Sequence, residues 1–408
     1  MSESNIDGSD HIFAIEGLTL GATSAAIRKR GRPDLVVLLL QENTTVAGVF
    51  TQNNFSAAPV QICQQQLTQG EPIVAMVINT GVANAGTGEN GLVDAKKICQ
   101  ELADLLEVNQ ESILPFSTGV IMERLPVEKI IAALPQCLRS QNKMGWEDSS
   151  RAILTTDLVP KLSSRNFDVE NCPIRVTGMA KGSGMIKPNM ATMLAFVATD
   201  ACISADCLDE IVKYATEQTF NRISVDGDTS TNDSFMLIAT GACGAPRITS
   251  NTDVGFTKIR DEITMVCEDL AKKIVLDGEG ATKFIEIRVE DGLSVEEARD
   301  IGFSVANSPL VKTAFYASDP NLGRILSAIG AAGVKGLDVT KIEIEIGDIL
   351  VAQNGGAAPN YREIDVKPLM EANNIVVTIK LNRGKDSVTI WTCDLSHDYI
   401  KINAEYRS

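Results

Sequence analysis

Residues Lys181–Phe196 read KGSGMIKPNMATMLAF, and the Ala191–Thr192 bond inside this stretch is its most informative feature. A small residue stands directly before a threonine, and an apolar, strand-like segment, Met193–Val197, follows. A self-cleaving threonine nucleophile needs this pattern, because its hydroxyl attacks the preceding carbonyl and the released α-amine then activates the same hydroxyl. An α-amine has a pKa of about 7.7–8.0, so it can take up a proton near neutral pH without a histidine. The same pattern is also common where an ordinary strand begins.

Histidines are scarce in this chain, because only His11 and His397 occur, each near one end. A Ser/His/Asp triad would have to use one of these two, and a metal site with several histidine ligands is nearly excluded. An enzyme built on this sequence therefore needs another base, which an N-terminal amine provides. The glycine-rich segments contain no G-x-x-x-x-G-K-[ST] phosphate loop. We expect neither a metal nor a bound cofactor.

The net charge is −16, from 37 basic and 53 acidic residues in 408, which argues against a nucleic-acid partner. The start, MSESNIDGSDHIF, has neither the basic residues nor the apolar run of a signal. No later stretch reaches the ~18–20 apolar residues of a membrane span. The nine cysteines are scattered without a C-x-x-C pair, as is typical of free thiols. These features predict a cytoplasmic protein without a membrane partner.

The pattern of apolar residues predicts a mixed α/β chain, long enough for two domains or subdomains. Period-two and continuous apolar runs predict the following strands: Asp34–Leu40, Val46–Thr51, Pro59–Gln64, Ile73–Asn79, Ile174–Gly178, Thr192–Ala198, Phe235–Thr240, Phe284–Val289, Ile342–Ile346, Asn374–Leu381 and Ser387–Thr392. Helical periodicity predicts helices over Val93–Leu106, from after Pro126 to about Leu138, and over Trp146–Leu154, Ala205–Phe220, Phe256–Val275 and most of Val295–Phe315.

Six ordered stretches spread over nearly the whole chain carry a resemblance. They are AIEGLTLGATSAAIRKRGRPDL (Ala14–Leu35), VAGVFTQNNFSAAPV (Val46–Val60), FSTGVI (Phe116–Ile121), SVDGDTSTNDSF (Ser224–Phe235), SPLVKTAFYASDPNLGRIL (Ser308–Leu326) and CDLSHDYIKINAEYRS (Cys393–Ser408). Together with KGSGMIKPNMATMLAF they resemble the glutamate N-acetyltransferase, or ornithine acetyltransferase, family of arginine biosynthesis.

The resemblance implies a layered αββα sandwich with mixed sheets, of the N-terminal-threonine-nucleophile type, and a smaller C-terminal α/β part. It also implies self-cleavage into an α chain, residues 1–191, and a β chain, residues 192–408. The two chains would form one interleaved folded unit, assembled as an α2β2 heterotetramer. The implied reaction moves acetyl from N-acetylornithine to glutamate, and the residues do not decide whether acetyl-CoA also serves as donor.

The resemblance implies an oxyanion hole at Thr118 and Gly119, although the residues of FSTG alone are more typical of an ordinary polar turn. The acidic segment SVDGDTSTND is interpreted as a structural acidic turn, because it lacks the twelve-residue loop of a calcium site. The family's substrate-binding positions fall here on Thr155, Lys181, Thr192, Glu279, Asn403 and the terminal Ser408. Of these, Thr155 would mean nothing by itself.

Some positions depart from the family pattern without removing a residue assigned to chemistry, and they bear on packing and specificity: Val82, Met122, Ala317 and Leu322. One alternative is an N-terminal-nucleophile aminopeptidase or amidase of related fold, in which water replaces glutamate. Another is a binding protein that keeps the fold and stays a single chain.

Overall fold

The computed structural model describes residues 11–28, 31–187 and 193–405. The chain divides into two compact units. The first unit comprises Met1–Gly182, Asn189–Asn221 and Thr229–Ala271, and the second comprises Ser183–Pro188, Arg222–Asp228 and Lys272–Ser408. Each unit therefore contains residues from before and after position 192. No helix in the described ranges is long and apolar enough to span a membrane.

The described residues form a mixed α/β structure. Its strands are β1 (Leu18–Thr23), β2 (Leu35–Leu40), β3 (Thr45–Phe50), β4 (Ala75–Val82), β5 (Ile113–Val120), β6 (Lys161–Val169), β7 (Cys172–Lys181), β8 (Leu194–Thr199), β9 (Ile223–Ser224), β10 (Ser234–Ala239), β11 (Phe284–Gly292), β12 (Glu343–Ile346), β13 (Ile349–Gln353), β14 (Gly356–Ala357), β15 (Asn374–Lys380) and β16 (Asp386–Cys393). Its α-helices are α1 (Ala58–Gln69), α2 (Gly88–Leu106), α3 (Val127–Arg139), α4 (Trp146–Ala152), α5 (Ala205–Gln218), α6 (Phe256–Leu276), α7 (Val295–Ala306), α8 (Pro309–Tyr316), α9 (Leu322–Gly330), α10 (Glu363–Glu371) and α11 (His397–Ala404).

Two sheets form the centre of the first unit, with strand orders β1-β2-β4-β5 and β3-β10-β8-β7-β6. Their facing sides share one apolar core, to which β2 and β5 contribute Val36 and Phe116, and β8 and β10 contribute Phe196 and Met236. The rings of Phe116 and Phe196 meet edge to face with centroids 5.0 Å apart. The burial of both inner faces against each other makes these sheets the two middle layers.

Helices cover the outer faces of both sheets. Ile98 of α2 and Leu134 of α3 pack on the first sheet beside Val37 and Val77. The second sheet is covered by α5, which packs on β3 and β10, and by α6, whose Leu270 lies beside Gly178 of β7. Helix α6 lies close to Gly178, where a Cβ atom would be 3.0 Å from Leu270 Cδ1. The αββα layering predicted from the resemblance is confirmed.

The strand after the proposed cleavage bond, β8, occupies the middle of the second sheet with all six residues buried. It pairs antiparallel with β7, which precedes that bond, and parallel with β10. The continuous apolar run that predicts this strand is typical of one covered on both faces. In the β7–β8 ladder, Lys181 lies opposite Leu194.

The second unit contains a seven-stranded mixed sheet with the order β14-β13-β12-β15-β11-β16-β9. Its core joins alternate residues of the strands, such as Ile287 and Val377, to the apolar faces of helices through Ile301 and Phe315. The period-two alternation of the C-terminal third correctly predicts β12, β15 and β16 but not β13 and β14. Strands β15 and β16 both pair with β11 rather than with each other.

One predicted strand is wrong, because Pro59–Gln64 lies in helix α1. Pro59 stands in the first helical turn, where its fixed φ and missing N–H suit a helix. Val60, Ile62 and Cys63 are buried on the inner side of this helix. A short apolar run fits either a strand or a buried helix, and here the proline position decides for the helix.

Six of the described strands are not predicted from the sequence: β1, β5, β6, β9, β13 and β14. Strand β6, KLSSRNFDV, carries polar residues on its exposed side and lies at the edge of its sheet. Strand β5 contains FSTG, so the polar turn expected for this segment is wrong: Ser117, Thr118 and Gly119 continue the strand.

Candidate active site

Thr118 and Gly119 lie where β5 ends beside β4 in a parallel ladder. Gly119 is opposite Gly81, and the register shifts there because Val82 pairs with both Thr118 and Val120. Gly119 has φ +130°, a backbone conformation that L side chains rarely adopt. A Cβ at Gly119 would lie 2.2 Å from the carbonyl carbon of Gly81. The close approach of the two strands therefore requires glycine at position 119.

A buried polar network holds this irregular strand end. The amide of Asn79 donates to the carbonyl of Val82 at 2.9 Å, and the Ser117 hydroxyl donates to Asn79 Oδ1 at 2.6 Å. Asn232 Nδ2 donates to the carbonyls of Ala83 and Ser117 at 2.6 and 2.9 Å. Buried polar groups that all find partners make a rigid unit. Neither Asn79, the last residue of a predicted strand, nor Asn232, in the acidic segment SVDGDTSTND, is predicted from the sequence to have this role.

The structure brings together two predicted binding residues, Thr155 and Lys181. Lys181 is the last residue of β7, and its Nζ donates to the Thr155 hydroxyl at 3.1 Å. Thr155 follows α4, whose last residue, Ala152, has a carbonyl that accepts a 2.8 Å hydrogen bond from the Thr80 hydroxyl. Thr80 is the residue opposite Thr118 in the β4–β5 ladder. One chain of contacts therefore joins the strand end at Thr118 to the loop that carries Thr155.

Asp157 holds the loop that carries Thr155 in place by hydrogen bonds. No role for Asp157 is predicted from the sequence. Its side chain is completely buried and accepts hydrogen bonds from the backbone N–H of Thr155 at 3.0 Å and of Gly182 at 2.7 Å. Lys161, equally buried, places Nζ 2.6 Å from Asp157 Oδ1. Asp157 thereby connects the Thr155 loop directly to the residue that follows Lys181.

The charge state of Asp157 follows from these neighbours. Burial acts to raise the pKa of its carboxyl, but the cations of Lys161 and Lys181 and the donated hydrogen bonds outweigh burial and lower the pKa to about 2. The carboxylate is therefore ionised at neutral pH. Its spacing in ILTTDLVPK, four residues before Lys161, is the one sequence signal that could have identified the pair.

A second pair of predicted residues, Glu279 and Asn403, also lies together. Asn403 on α11 donates from Nδ2 to Glu279 Oε2 at 2.7 Å, and the Glu279 backbone N–H donates to the carbonyl of Ser183 at 2.9 Å. Glu279 is only 7% exposed. A Cβ at Gly184 would lie 2.4 Å from the Glu279 carboxyl carbon, so the glycine in KGSG makes room for this carboxylate.

The predicted residues Ala191, Thr192 and Ser408 lie outside the described residues. The nearest described residues on the C-terminal side are Met193, whose carbonyl accepts a 3.0 Å hydrogen bond from the Ser234 backbone N–H, and Leu194. Leu194 pairs with Lys181 and therefore lies beside the Lys181–Thr155 contact. The proposed nucleophile, Thr192, stands two residues before Leu194 in the sequence.

Comparisons with known proteins point to one family. The sequence model of the ArgJ family matches residues 19–408. The arginine biosynthesis bifunctional protein argJ from Bacillus halodurans is 38% identical, and the match covers 52% of this chain and 99% of that chain with a TM-score of 0.50. Ornithine acetyltransferase from Mycobacterium tuberculosis, solved with ornithine, is 32% identical over 45% of this chain and 96% of that chain, with a TM-score of 0.39. An L-aminopeptidase D-Ala-esterase/amidase from Ochrobactrum anthropi is 9% identical over 65% and 85%, with a TM-score of 0.39.

Proposed function

This chain belongs to the ArgJ family and is an acetyltransferase of arginine biosynthesis, and we propose that it moves acetyl from N-acetylornithine to glutamate through an acetyl-threonine on Thr192. The observation that most supports this proposal is the Lys181–Thr155 contact at the end of β7, directly across the ladder from Leu194. The Lys181 ammonium and the Thr155 hydroxyl form a polar site next to the start of β8. The buried Asp157 carboxylate holds this site through the backbone N–H groups of Thr155 and Gly182.

Two further observations support self-cleavage at Ala191–Thr192 into chains that stay together. About half of this chain, 52%, matches 99% of the Bacillus halodurans chain, so that solved chain is about half as long. A half-length chain is what a protein cut near its middle yields. Each compact unit of this protein also contains residues from both sides of the proposed cut, so separation of the chains would require unfolding.

In the cleavage step, the Thr192 hydroxyl attacks the carbonyl carbon of Ala191. The peptide C–N bond breaks, the hydroxyl proton passes to the new amine, and water hydrolyses the resulting ester. The products are a carboxylate on Ala191 and a free α-amine on Thr192, which is the base for the next reaction.

In the transfer step, the Thr192 amine accepts the proton of its own hydroxyl, and the oxygen attacks the acetyl carbonyl of N-acetylornithine. The Thr118 hydroxyl and the Gly119 amide donate hydrogen bonds to the oxyanion, each worth about 10²–10³ in rate. The C–N bond to ornithine breaks and ornithine leaves with the proton. The neutral amine of glutamate then attacks the acetyl ester, and the bond between the acetyl carbon and Thr192 Oγ breaks. The proton from the glutamate amine passes through the Thr192 amine to Oγ, and N-acetylglutamate is released.

We assign substrate binding by charge. Both amino acids carry an α-carboxylate, which suits the Lys181 ammonium beside Thr155, and ornithine carries an ammonium, which suits the buried Glu279 carboxylate oriented by Asn403. Ser408 completes the proposed binding set. An α2β2 assembly in the cytoplasm, without metal or resident cofactor, is part of the same proposal.

Steady-state kinetics test the proposed mechanism. Varying N-acetylornithine at several fixed glutamate concentrations is expected to give parallel double-reciprocal lines, because acetyl rests on the enzyme between two separate encounters. Intersecting lines would exclude the covalent intermediate. Release of free acetate at the rate of ornithine formation would instead favour the amidase alternative. Replacing N-acetylornithine with acetyl-CoA tests whether acetyl-CoA also serves as donor.

Gly119→Ala is expected to lower the transfer rate at least about 10²-fold. The added Cβ must push the strand end away from Gly81, which moves the amide that donates to the oxyanion. Gly70→Ala is the matched control, since Gly70 also has a positive φ (+76°) but no atom within 4 Å of its Cβ position. Equal rates in the two variants would show that close strand approach at Gly119 is irrelevant to transfer.

A further inference from the structure

Asp226 belongs to the acidic segment SVDGDTSTND, for which the sequence predicts only a structural turn. It follows β9 in the second unit, and Ser183–Pro188 belong to the same unit. Its two carboxylate oxygens accept hydrogen bonds from consecutive backbone N–H groups, Oδ2 from Met185 at 2.6 Å and Oδ1 from Ile186 at 2.9 Å. The Asp226 carboxylate therefore holds, by two hydrogen bonds, the segment that leads to the proposed cleavage bond.

The two residues before Asp226 also hold this segment by hydrogen bonds. The carbonyl of Ile186 accepts hydrogen bonds from the Val225 backbone N–H at 2.7 Å and from the Ser224 hydroxyl at 3.1 Å. Met185 has φ +57°, a left-handed conformation that is unfavourable for a residue with a side chain. The contacts with residues 224–226 hold the segment in this conformation.

Helix α11 supports the carboxylate. The Tyr399 hydroxyl donates to Asp226 Oδ2 at 3.2 Å, and the carbonyl of Tyr399 accepts from Asn403 Nδ2 at 3.0 Å. Burial, with Asp226 as a further cause, raises the pKa of Tyr399, so its hydroxyl keeps the proton that it donates. Asp226 is thus a shared anchor for the segment before the cut and for the helix that orients Glu279.

We propose that Asp226 is a positioning residue for cleavage of the Ala191–Thr192 bond, a role that rests on the proposed function. Five residues separate Ile186 from Thr192 in the sequence, a reach of at most about 20 Å. Anchoring the segment on the N-terminal side of the bond removes part of the conformational freedom that the chain must lose before the Thr192 hydroxyl attacks.

The test follows the conversion of newly synthesised precursor in a cell-free translation, pulse-labelled and chased, by gel and intact mass. Asp226→Asn keeps the shape of the side chain but replaces one acceptor oxygen with an amide that cannot accept from an N–H group. We expect its precursor to disappear at least about tenfold more slowly than that of the wild type. Asp253→Asn is the matched control, because Asp253 also accepts from two consecutive backbone N–H groups, those of Thr249 and Ser250, in an exposed turn of the first unit.

Several results would overturn the proposal. They are an Asp226→Asn rate within twofold of the wild type, an equal slowing in Asp253→Asn, or a rate restored by hydroxylamine. Hydroxylamine cleaves an accumulated ester, so its effect would place the defect in ester hydrolysis rather than in the attack. If Asp226→Asn does not fold by circular dichroism, Tyr399→Phe replaces it, with an expected slowing of at least about threefold and an unchanged rate as the contrary result.

The wild type separates this inference from the proposed function. A wild-type precursor that is never cut, or is cut so that the new chain does not begin at Thr192, contradicts the proposed function itself. A wild type cut at Thr192, together with an Asp226→Asn variant cut equally fast, contradicts only the role of Asp226.

Discussion

Thr192→Ala is expected to leave a single chain of 43.8 kDa and to abolish acetyl transfer. Alanine has no hydroxyl to attack the carbonyl of Ala191, so no chain beginning at position 192 forms. The acetyl-accepting oxygen and the free α-amine are lost together, and no histidine is assigned to replace the amine. Intact mass under denaturing conditions and a discontinuous ornithine assay measure the two effects on the same sample.

Thr192→Ser is the informative control for this variant. Serine keeps the hydroxyl and, after cleavage, the α-amine, so both processing and transfer are expected to persist at a reduced rate. Cleavage in Thr192→Ala, or transfer by its uncut chain, would contradict the assignment of the nucleophile. An uncut Thr192→Ser chain that still transfers acetyl would separate the two reactions and refute the shared base.

Asp157→Ala is expected to lower the free energy of unfolding by about 3–5 kcal/mol and to raise the KM for N-acetylornithine. The variant leaves the completely buried Lys161 ammonium without its carboxylate, which is among the costliest changes in a protein interior. It also releases the backbone N–H groups of Thr155 and Gly182, which hold the proposed carboxylate site. Urea unfolding and steady-state kinetics measure the two effects.

Asp209→Ala is the matched control for Asp157→Ala. Asp209 pairs with Lys213 at the same distance, 2.6 Å, and the same i,i+4 spacing, but both side chains are exposed on α5. An exposed pair of this kind contributes about 0–1 kcal/mol, so the control is expected to change stability little. Similar losses in the two variants would show that burial of the Asp157–Lys161 pair does not determine its contribution.

Acid stability follows from the lowered pKa of Asp157. The folded-state pKa of about 2 lies below the ordinary value of 3.8, so the carboxylate stabilises the fold above about pH 4. This contribution is lost as the pH falls from about 4 towards 2. In Asp157→Ala, that part of the decline in unfolding free energy is expected to be missing from the pH profile.

The sequence predicts most of the fold where local patterns are strong. The amphipathic helix α6 and the continuous apolar strand β8 are confirmed close to their predicted bounds, because a repeated burial pattern is written into consecutive residues. The segment Pro59–Gln64 shows the limit of this reasoning. These six residues fit two structures, and hydrophobic periodicity alone does not distinguish them.

For the candidate site, too, some residues could be predicted from the sequence and others could not. The resemblance identifies Thr155, Lys181, Glu279 and Asn403, and the structure pairs them as Lys181 with Thr155 and Asn403 with Glu279. Asp157, which holds Thr155 and Lys181, is marked in the sequence only by its i,i+4 spacing to Lys161, which the exposed pair Asp209–Lys213 shares. Asp226 carries no such pattern. Burial gives Asp157 its importance, and burial depends on what the rest of the chain packs around it.

Three features of the sequence by itself limit the chemistry and the fold: a threonine directly after a small residue, too few histidines for a triad, and the apolar periodicity of a layered α/β fold. These features are local, since each depends on neighbours within a few positions. Only the tertiary structure decided that Gly119 must face Gly81 without a side chain, and that Asn403 reaches Glu279 across 124 residues of sequence. Such contacts depend on strand register and on the path of the chain, which adjacent residues do not specify.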